Sequence, residues 1–513
     1  MGERAEDLLF KTTGSKWLLP VGRLLGLPID QVNFMSCQLF ALAAAFWFRL
    51  YLSPGHASPL VRHTFATLLG IGILIFCFGW YSAHILAVVV ASYFIIVKGD
   101  INNVHRYTMV TAMGYLTACH VSRVFIYNYG ILSTDFSGPL MIVTQKITTL
   151  AFQLHDGTCK KSEQLASDQR LLAITARPSL IEYLSYNLNF LSVLVGPCSN
   201  YKDHIDFIEG RHISQRLKQH AAAAARNGHN GYDRTPDVSP LKAVCRKLVV
   251  CCCCLLFFFV VTRSLPITFN VNPDFVSHAP FLSRLTYAFF SIQAARPKFY
   301  FAWTLADAVN NAAGFGFRGM DGSGKPCWDL ISNVNIIGIE VDFHARIFTF
   351  KYNNGLGITA ELKVCYDRAP RHRLALTFIL SALWHGVYPG YYFTFITAIP
   401  ITMAARALRR SIRHHFLGSR GLKLGYDVVT WMATQLTICY TVMPFLLLSV
   451  DHTITYYRSM YFHVHIISVL AAVALHRKHK PTEDSKSASS SSSSAPSSSQ
   501  CQPVHSNNNK KVL

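Results

Sequence analysis

Charge is scarce in this chain. Asp, Glu, Lys and Arg make up 15% of its 513 residues, against about 25% in an ordinary soluble protein. So sparse a set cannot clothe a water-facing surface, which excludes a conventional soluble domain. Acids are the scarcer sign, 27 against 48 Lys and Arg, for a net charge of +21. A basic excess can signal nucleic acid, but that reading needs Lys and Arg clustered on a soluble face. Here Arg62 with His63, Lys98, Arg106, Arg123, Arg246 with Lys247, and Arg409 with Arg410 punctuate apolar runs, as loop charges beside membrane helices do. Nucleic acid is therefore not an expected partner; anionic headgroups and CoA phosphates fit the same charges.

Other absences narrow the field. The 14 cysteines include no pair of CxxC motifs, so no zinc site is expected. The run Cys251–Cys254 reads as small apolar filler, with S-acylation as the alternative. There is no G-x-S-x-G elbow, no internal repeat, and no acid five residues after His385, where Gly390 stands. Strict alternation of apolar and polar residues, the mark of barrel strands, is missing too. The first thirty residues carry Glu3, Glu6 and Asp7 and no strong apolar core, unlike a cleavable signal.

What the chain does have is apolar length. Residues of the AVILMFWYC set make up 51% and aromatics 13%, with a mean hydropathy of +0.26. A spanning helix takes about 20 mostly apolar residues. Such runs are expected at Val32–Leu52, His63–Trp80, Ser82–Val97, Tyr107–Tyr127, Tyr183–Val195, Val244–Thr262, Phe281–Leu305, Leu374–Leu408, Val428–Val450 and Met460–Leu475. Pro389-Gly390 is expected to break the eighth. The fold class is all-α: a polytopic membrane bundle of about ten helices. The expected organisation is a short segment over 1–31, a membrane domain over 32–475, and a Ser-rich tail over 476–513. Ser485–Ser499 is nearly all serine, and such a stretch buries no core.

His385 is the first candidate for the chemistry. It sits in SALWHGVYPG (381–390), directly after the apolar run Leu374–Leu383. An ionisable group at membrane depth is costly and is a functional candidate by default. A neutral imidazole is what a general base requires. The bland reading is a histidine bonded to a neighbouring helix, and residue type with depth leaves both open. A second polar group falls in Phe301–Phe317 (FAWTLADAVNNAAGFGF). Its small residues let helices approach closely, while Asp307, Asn310 and Asn311 need partners. Tyr300 lies at the end of the same segment.

The flanks of His385 resemble the active-site segment of the membrane-bound O-acyltransferase family. The Phe301–Phe317 segment, Asp135–Thr149 (DFSGPLMIVTQKITT) and Asp30–Phe34 (DQVNF) are similar to its lysophospholipid acyltransferase branch. The similarity runs from about Thr12 to Leu475, nearest the type that uses lysophosphatidylethanolamine and lysophosphatidylserine. It implies acyl transfer from acyl-CoA, as co-substrate, to a lysophospholipid hydroxyl, with oleoyl as the chain, in phospholipid remodelling. It implies no metal and no tightly bound cofactor. His385 would be the general base, beside Trp384.

The family also uses an Asn about thirty residues earlier. Counting back from Cys365-Tyr366 without a gap places Asn354 there, with Asn353 as the neighbour; Asn354-Gly355 also reads as a plain turn. The stretch Ile337–Leu362 departs from the family pattern, which leaves a pseudoenzyme open. Tyr300, Asp307, Asn310 and Asn311 would shape a headgroup slot, with Asp307 either meeting an ammonium head or pairing with Arg296 or Lys298. Rival readings are a protein or peptide O-acyltransferase and a transporter. The lysophospholipid-type segments oppose the first, and a single Pro-Gly break without repeats opposes the second. Lys510-Lys511 resembles a dilysine retrieval signal, so the expected location is the endoplasmic reticulum membrane with a cytosolic C-terminus. The sequence leaves the oligomeric state open.

Overall fold

The computed structural model describes residues 11–126, 135–218, 238–321, 324–340, 368–369 and 371–477. Among them the chain is helical almost throughout. The one sheet is a two-strand antiparallel ladder pairing Gly319–Met320 with Pro326–Cys327.

The helices form for local reasons. After α1 (Ile29–Tyr51), Ser58 accepts from the Val61 amide and Pro59 opens α2 (Pro59–Phe78). A cap and an N1 proline are a strong start signal. Gly79 leaves helical backbone at φ 56°, ψ −130°, ending α2 before α3 (Ser82–Lys98). The α4 helix (Val104–Ile126) then leads to α5 (Ser137–Cys159). Asp135 holds the start of α5: its carboxylate accepts from the Ser137 amide at 2.9 Å and pairs with Arg123 at 3.0 Å.

After α6 (Leu180–Leu188) come α7 (Leu241–Val261), α8 (Phe281–Ala295) and α9 (Pro297–Ala312). The last five are α10 (Arg373–His385), α11 (Pro389–Ile412), α12 (Arg420–Leu447), α13 (Val450–Ser459) and α14 (His463–Arg477). The closest pairings are α7 on α9, α11 on α14, and α4 on α5.

Among the described residues four stretches are long and apolar enough to cross a bilayer: Ile29–Tyr51, Pro59–Lys98, Leu241–Val261 and Arg420–Leu447. The bent pair Val450–Ser459 with His463–Leu475 adds a fifth if it is one broken span. Pro59–Lys98 is 40 residues long, roughly two crossings' worth, and Gly79 divides it accordingly. The expected count of about ten crossings is not reached by length and composition.

Two of the expected spans differ plainly from the helices found. Phe281–Leu305 is two helices, because Pro297 opens a new one. Tyr183–Val195 holds only the end of a nine-residue helix, too short to cross. The reading also missed α5. Its interior positions are polar, with Thr144, Gln145, Lys146, Thr148, Thr149, Gln153 and Asp156 all buried. A helix surrounded by protein need not be apolar, so a hydropathy scan passes over it. By contrast α7 buries only Val244 and Cys251 and turns the rest of its apolar surface outward, as a lipid-facing helix would.

Candidate active site

His385 is the last residue of α10, at the tip of a helix hairpin. The α10 and α11 arms run back against each other, with the Phe378 and Phe395 rings 6.2 Å apart. The expected Pro-Gly break is where the hairpin turns. Gly386 has φ 136°, a left-handed backbone that favours glycine. A Cβ there would stand 3.3 Å from Tyr391 and 3.4 Å from His120 Nδ1. Gly390 approaches α12 so closely that a Cβ would lie 2.1 Å from the Pro444 carbonyl oxygen. Its amide donates to the Leu448 carbonyl at 2.9 Å. The tip is thus pinned to the end of α12.

Aromatic rings wall the imidazole. Phe395 stacks on it at 5.3 Å, Phe445 meets it edge-on at 4.9 Å, and Trp384 and Tyr391 stand at 4.8 and 5.7 Å. His385 is nevertheless only half-buried and makes no hydrogen bond among the described residues. The bland alternative, a histidine tied to a neighbouring helix, finds no such bond among the described residues. Among the described residues its ring nitrogens meet no hydrogen-bond partner, and aromatic walls flank it. Trp384 is buried and donates its indole N–H to the Met141 carbonyl on α5 at 3.1 Å. The expected oxyanion residue Asn354, its neighbour Asn353 and the rest of the 341–367 segment lie outside the described residues.

The other polar group sits elsewhere. The α9 helix rests on α7 and α1, whereas α10 rests on α11 and α4. Asp307 pairs with Lys247 at 2.6 Å and accepts from Ser332 at 2.5 Å, in place of the expected Arg296 or Lys298. Lys247, read from the sequence as a loop charge, instead points inward from α7. It also donates to Asn311 Oδ1 at 2.7 Å and to the Trp328 carbonyl at 2.9 Å. Asn310 donates to the Leu191 carbonyl at 2.9 Å, and Asn311 to that of Phe315 at 2.9 Å. Tyr300 donates to Glu340 at 2.5 Å, and Arg296 pairs with the same carboxylate at 3.1 Å. These side chains fasten helices and the segment around Glu340 to one another.

Several helices are long and apolar enough to cross a bilayer, which makes this a multi-pass membrane protein. The chain belongs to the membrane-bound O-acyltransferase family, whose model matches residues 121–349 and 368–445. It falls in the lysophospholipid acyltransferase branch and is an O-acyltransferase. It is 54% identical to mouse membrane-bound glycerophospholipid O-acyltransferase 1, over 94% of this chain and 97% of the relative. Human membrane-bound glycerophospholipid O-acyltransferase 2 is 49% identical over 90% of this chain and 88% of that one. Lysophospholipid acyltransferase 6 of Drosophila melanogaster is 37% identical over 90% of this chain and 63% of its own length.

Proposed function

We propose that this enzyme moves an acyl chain, oleoyl by preference, from acyl-CoA to the free glycerol hydroxyl of lysophosphatidylethanolamine or lysophosphatidylserine. The observation that carries the reading is the half-buried, unbonded His385 inside an aromatic wall, in a chain of this family. An alcohol is a weak nucleophile at neutral pH. His385 takes its proton as the oxygen attacks the thioester carbonyl, a step that contributes roughly 10² to 10⁴ in rate. The tetrahedral intermediate then expels CoA thiolate, which takes the proton from the imidazolium. No covalent acyl-enzyme is required. Apolar walls limit water and so spare the thioester.

Asn354 is the proposed hydrogen-bond donor to the developing oxyanion. Asn354→Ala should then lower activity strongly and Asn353→Ala only mildly in a side-by-side assay; the reverse ranking moves the role one residue. Asp307, Asn310, Asn311 and Tyr300 are proposed to shape the acceptor pocket from behind, since each already bonds a neighbour. Trp384 is proposed to touch the substrate's reacting end beside His385.

A panel of acceptors tests the assignment. With labelled oleoyl-CoA, incorporation into lysophosphatidylethanolamine or lysophosphatidylserine should exceed that into diacylglycerol or cholesterol at least about tenfold, or about 1.4 kcal/mol of transition-state discrimination. Equal or inverted rates would remove the lysophospholipid reading. The proposed location is the endoplasmic reticulum membrane, with the segment 476–513 as a cytosolic tail bearing Lys510 and Lys511. Changing both lysines to Ser should send the protein on to the Golgi by immunofluorescence, with activity intact. An unmoved protein would exclude the retrieval signal.

A further inference from the structure

We propose that His120 is a positioning residue for His385, acting through the peptide that precedes it; this rests on the general-base reading above. The last four carbonyls of a helix have no intrahelical partner. In α10 these fall at residues 382–385, within the bundle. The Gly386 amide closes on the Ala382 carbonyl at 3.1 Å. The Trp384 carbonyl is met from another helix: His120 Nε2 lies 3.3 Å from it. A carbonyl oxygen only accepts, so Nε2 carries the proton, which fixes the tautomer of His120. His120 is buried, and its ring also abuts Gly386, where a Cβ would come within 3.4 Å of Nδ1.

One α4 side chain therefore bonds the residue before His385 and stands beside the residue after it. The flanks are held by His120 and by the Trp384 indole on Met141, while the His385 imidazole makes no hydrogen bond among the described residues. Orientation of the imidazole is delegated to the peptide on either side. This bond needs a donor at the Nε2 position and needs no titration. Glutamine carries its amide nitrogen to about that position, whereas asparagine stops near Nδ1.

The test compares His120→Ala, His120→Asn, His120→Gln and His385→Ala, each purified and checked as monodisperse in detergent. Loss of register at a reacting group costs on the order of 10²-fold per ångström. His120→Ala and His120→Asn should lower kcat at least about tenfold, with KM for both substrates within about threefold. His120→Gln should restore kcat to within about twofold, with a pH profile superimposable on the wild type. If His120→Ala fails to fold, the Asn and Gln pair carries the comparison. Wild-type kcat in the Ala and Asn variants, or a Gln variant as slow as Asn, overturns the positioning role while leaving His385 as base. Activity surviving in His385→Ala overturns the general-base reading itself, and the positioning role with it.

Discussion

Replacing His385 by alanine is expected to lower kcat by about 100-fold or more, the least that a well-placed general base contributes. The fold should survive the change. His385 makes no hydrogen bond among the described residues, and the hairpin tip is held by Gly390 on Leu448 and by Trp384 on Met141. The loss is of ring contacts with Phe395 and Phe445, which alanine leaves as a small apolar gap. Activity and folding are therefore separable. Single-turnover rates with lysophosphatidylethanolamine and oleoyl-CoA, alongside size-exclusion profiles, make the comparison. A well-folded variant retaining more than about a tenth of the rate would mean that another group takes the proton.

The second large effect is one of stability. Lys247→Met should lower the thermal unfolding midpoint sharply, because Asp307 would be left as a buried charge without its counterion. Breaking a buried pair from one side costs about 3–5 kcal/mol, since the remaining charge keeps its desolvation cost. Asp307 would retain only the Ser332 hydroxyl, and Asn311 and the Trp328 carbonyl would each lose a donor. Removing both charges should hurt less than removing one: the Lys247→Met, Asp307→Asn double variant is expected to melt above the Lys247→Met single variant. This non-additivity is the signature of a direct pair. Equal midpoints for the single and double variants, by fluorescence-detected unfolding in detergent, would show that Asp307 is neutral or hydrated in the folded protein.

Much of the architecture was legible in the sequence because lipid-facing helices must be apolar over a fixed length. The expected runs at Val32–Leu52 and Ser82–Val97 fall on α1 and α3, and the Pro389-Gly390 break falls at the hairpin turn. Elements enclosed by protein were harder to see. The α5 helix is rich in Thr and Gln because its neighbours, not lipid, surround it. The Phe281–Leu305 run hid a joint, since hydropathy does not register that Pro297 removes an amide and begins a fresh helix.

The site was legible by type and not by partner. His385 stood out because an ionisable group follows an apolar run. Which helix would face it was not readable, since the contacts of His120 and Phe445 with the 384–386 region span long sequence separations. His120 had a signal of its own, an ionisable residue within the apolar run Tyr107–Tyr127, that the reading left unused. Lys247 was misread for a related cause. Lysines near helix ends commonly reach for the interface, and only the tertiary placement of Asp307 turns this one inward.

In the proposed reaction the brevity of α10 would fix the depth at which an acyl chain changes carriers. Its 13 residues rise about 20 Å, two thirds of the roughly 30 Å hydrocarbon layer. The helix begins beside Arg371 and Arg373, which are exposed and belong at a surface, and so it ends before the opposite surface is reached. In the proposed reaction both substrates travel to that level. The donor threads its thioester inward from water, and the acceptor sinks its glycerol below its usual plane. Helix length here works as a ruler, measuring how far each must go before they meet.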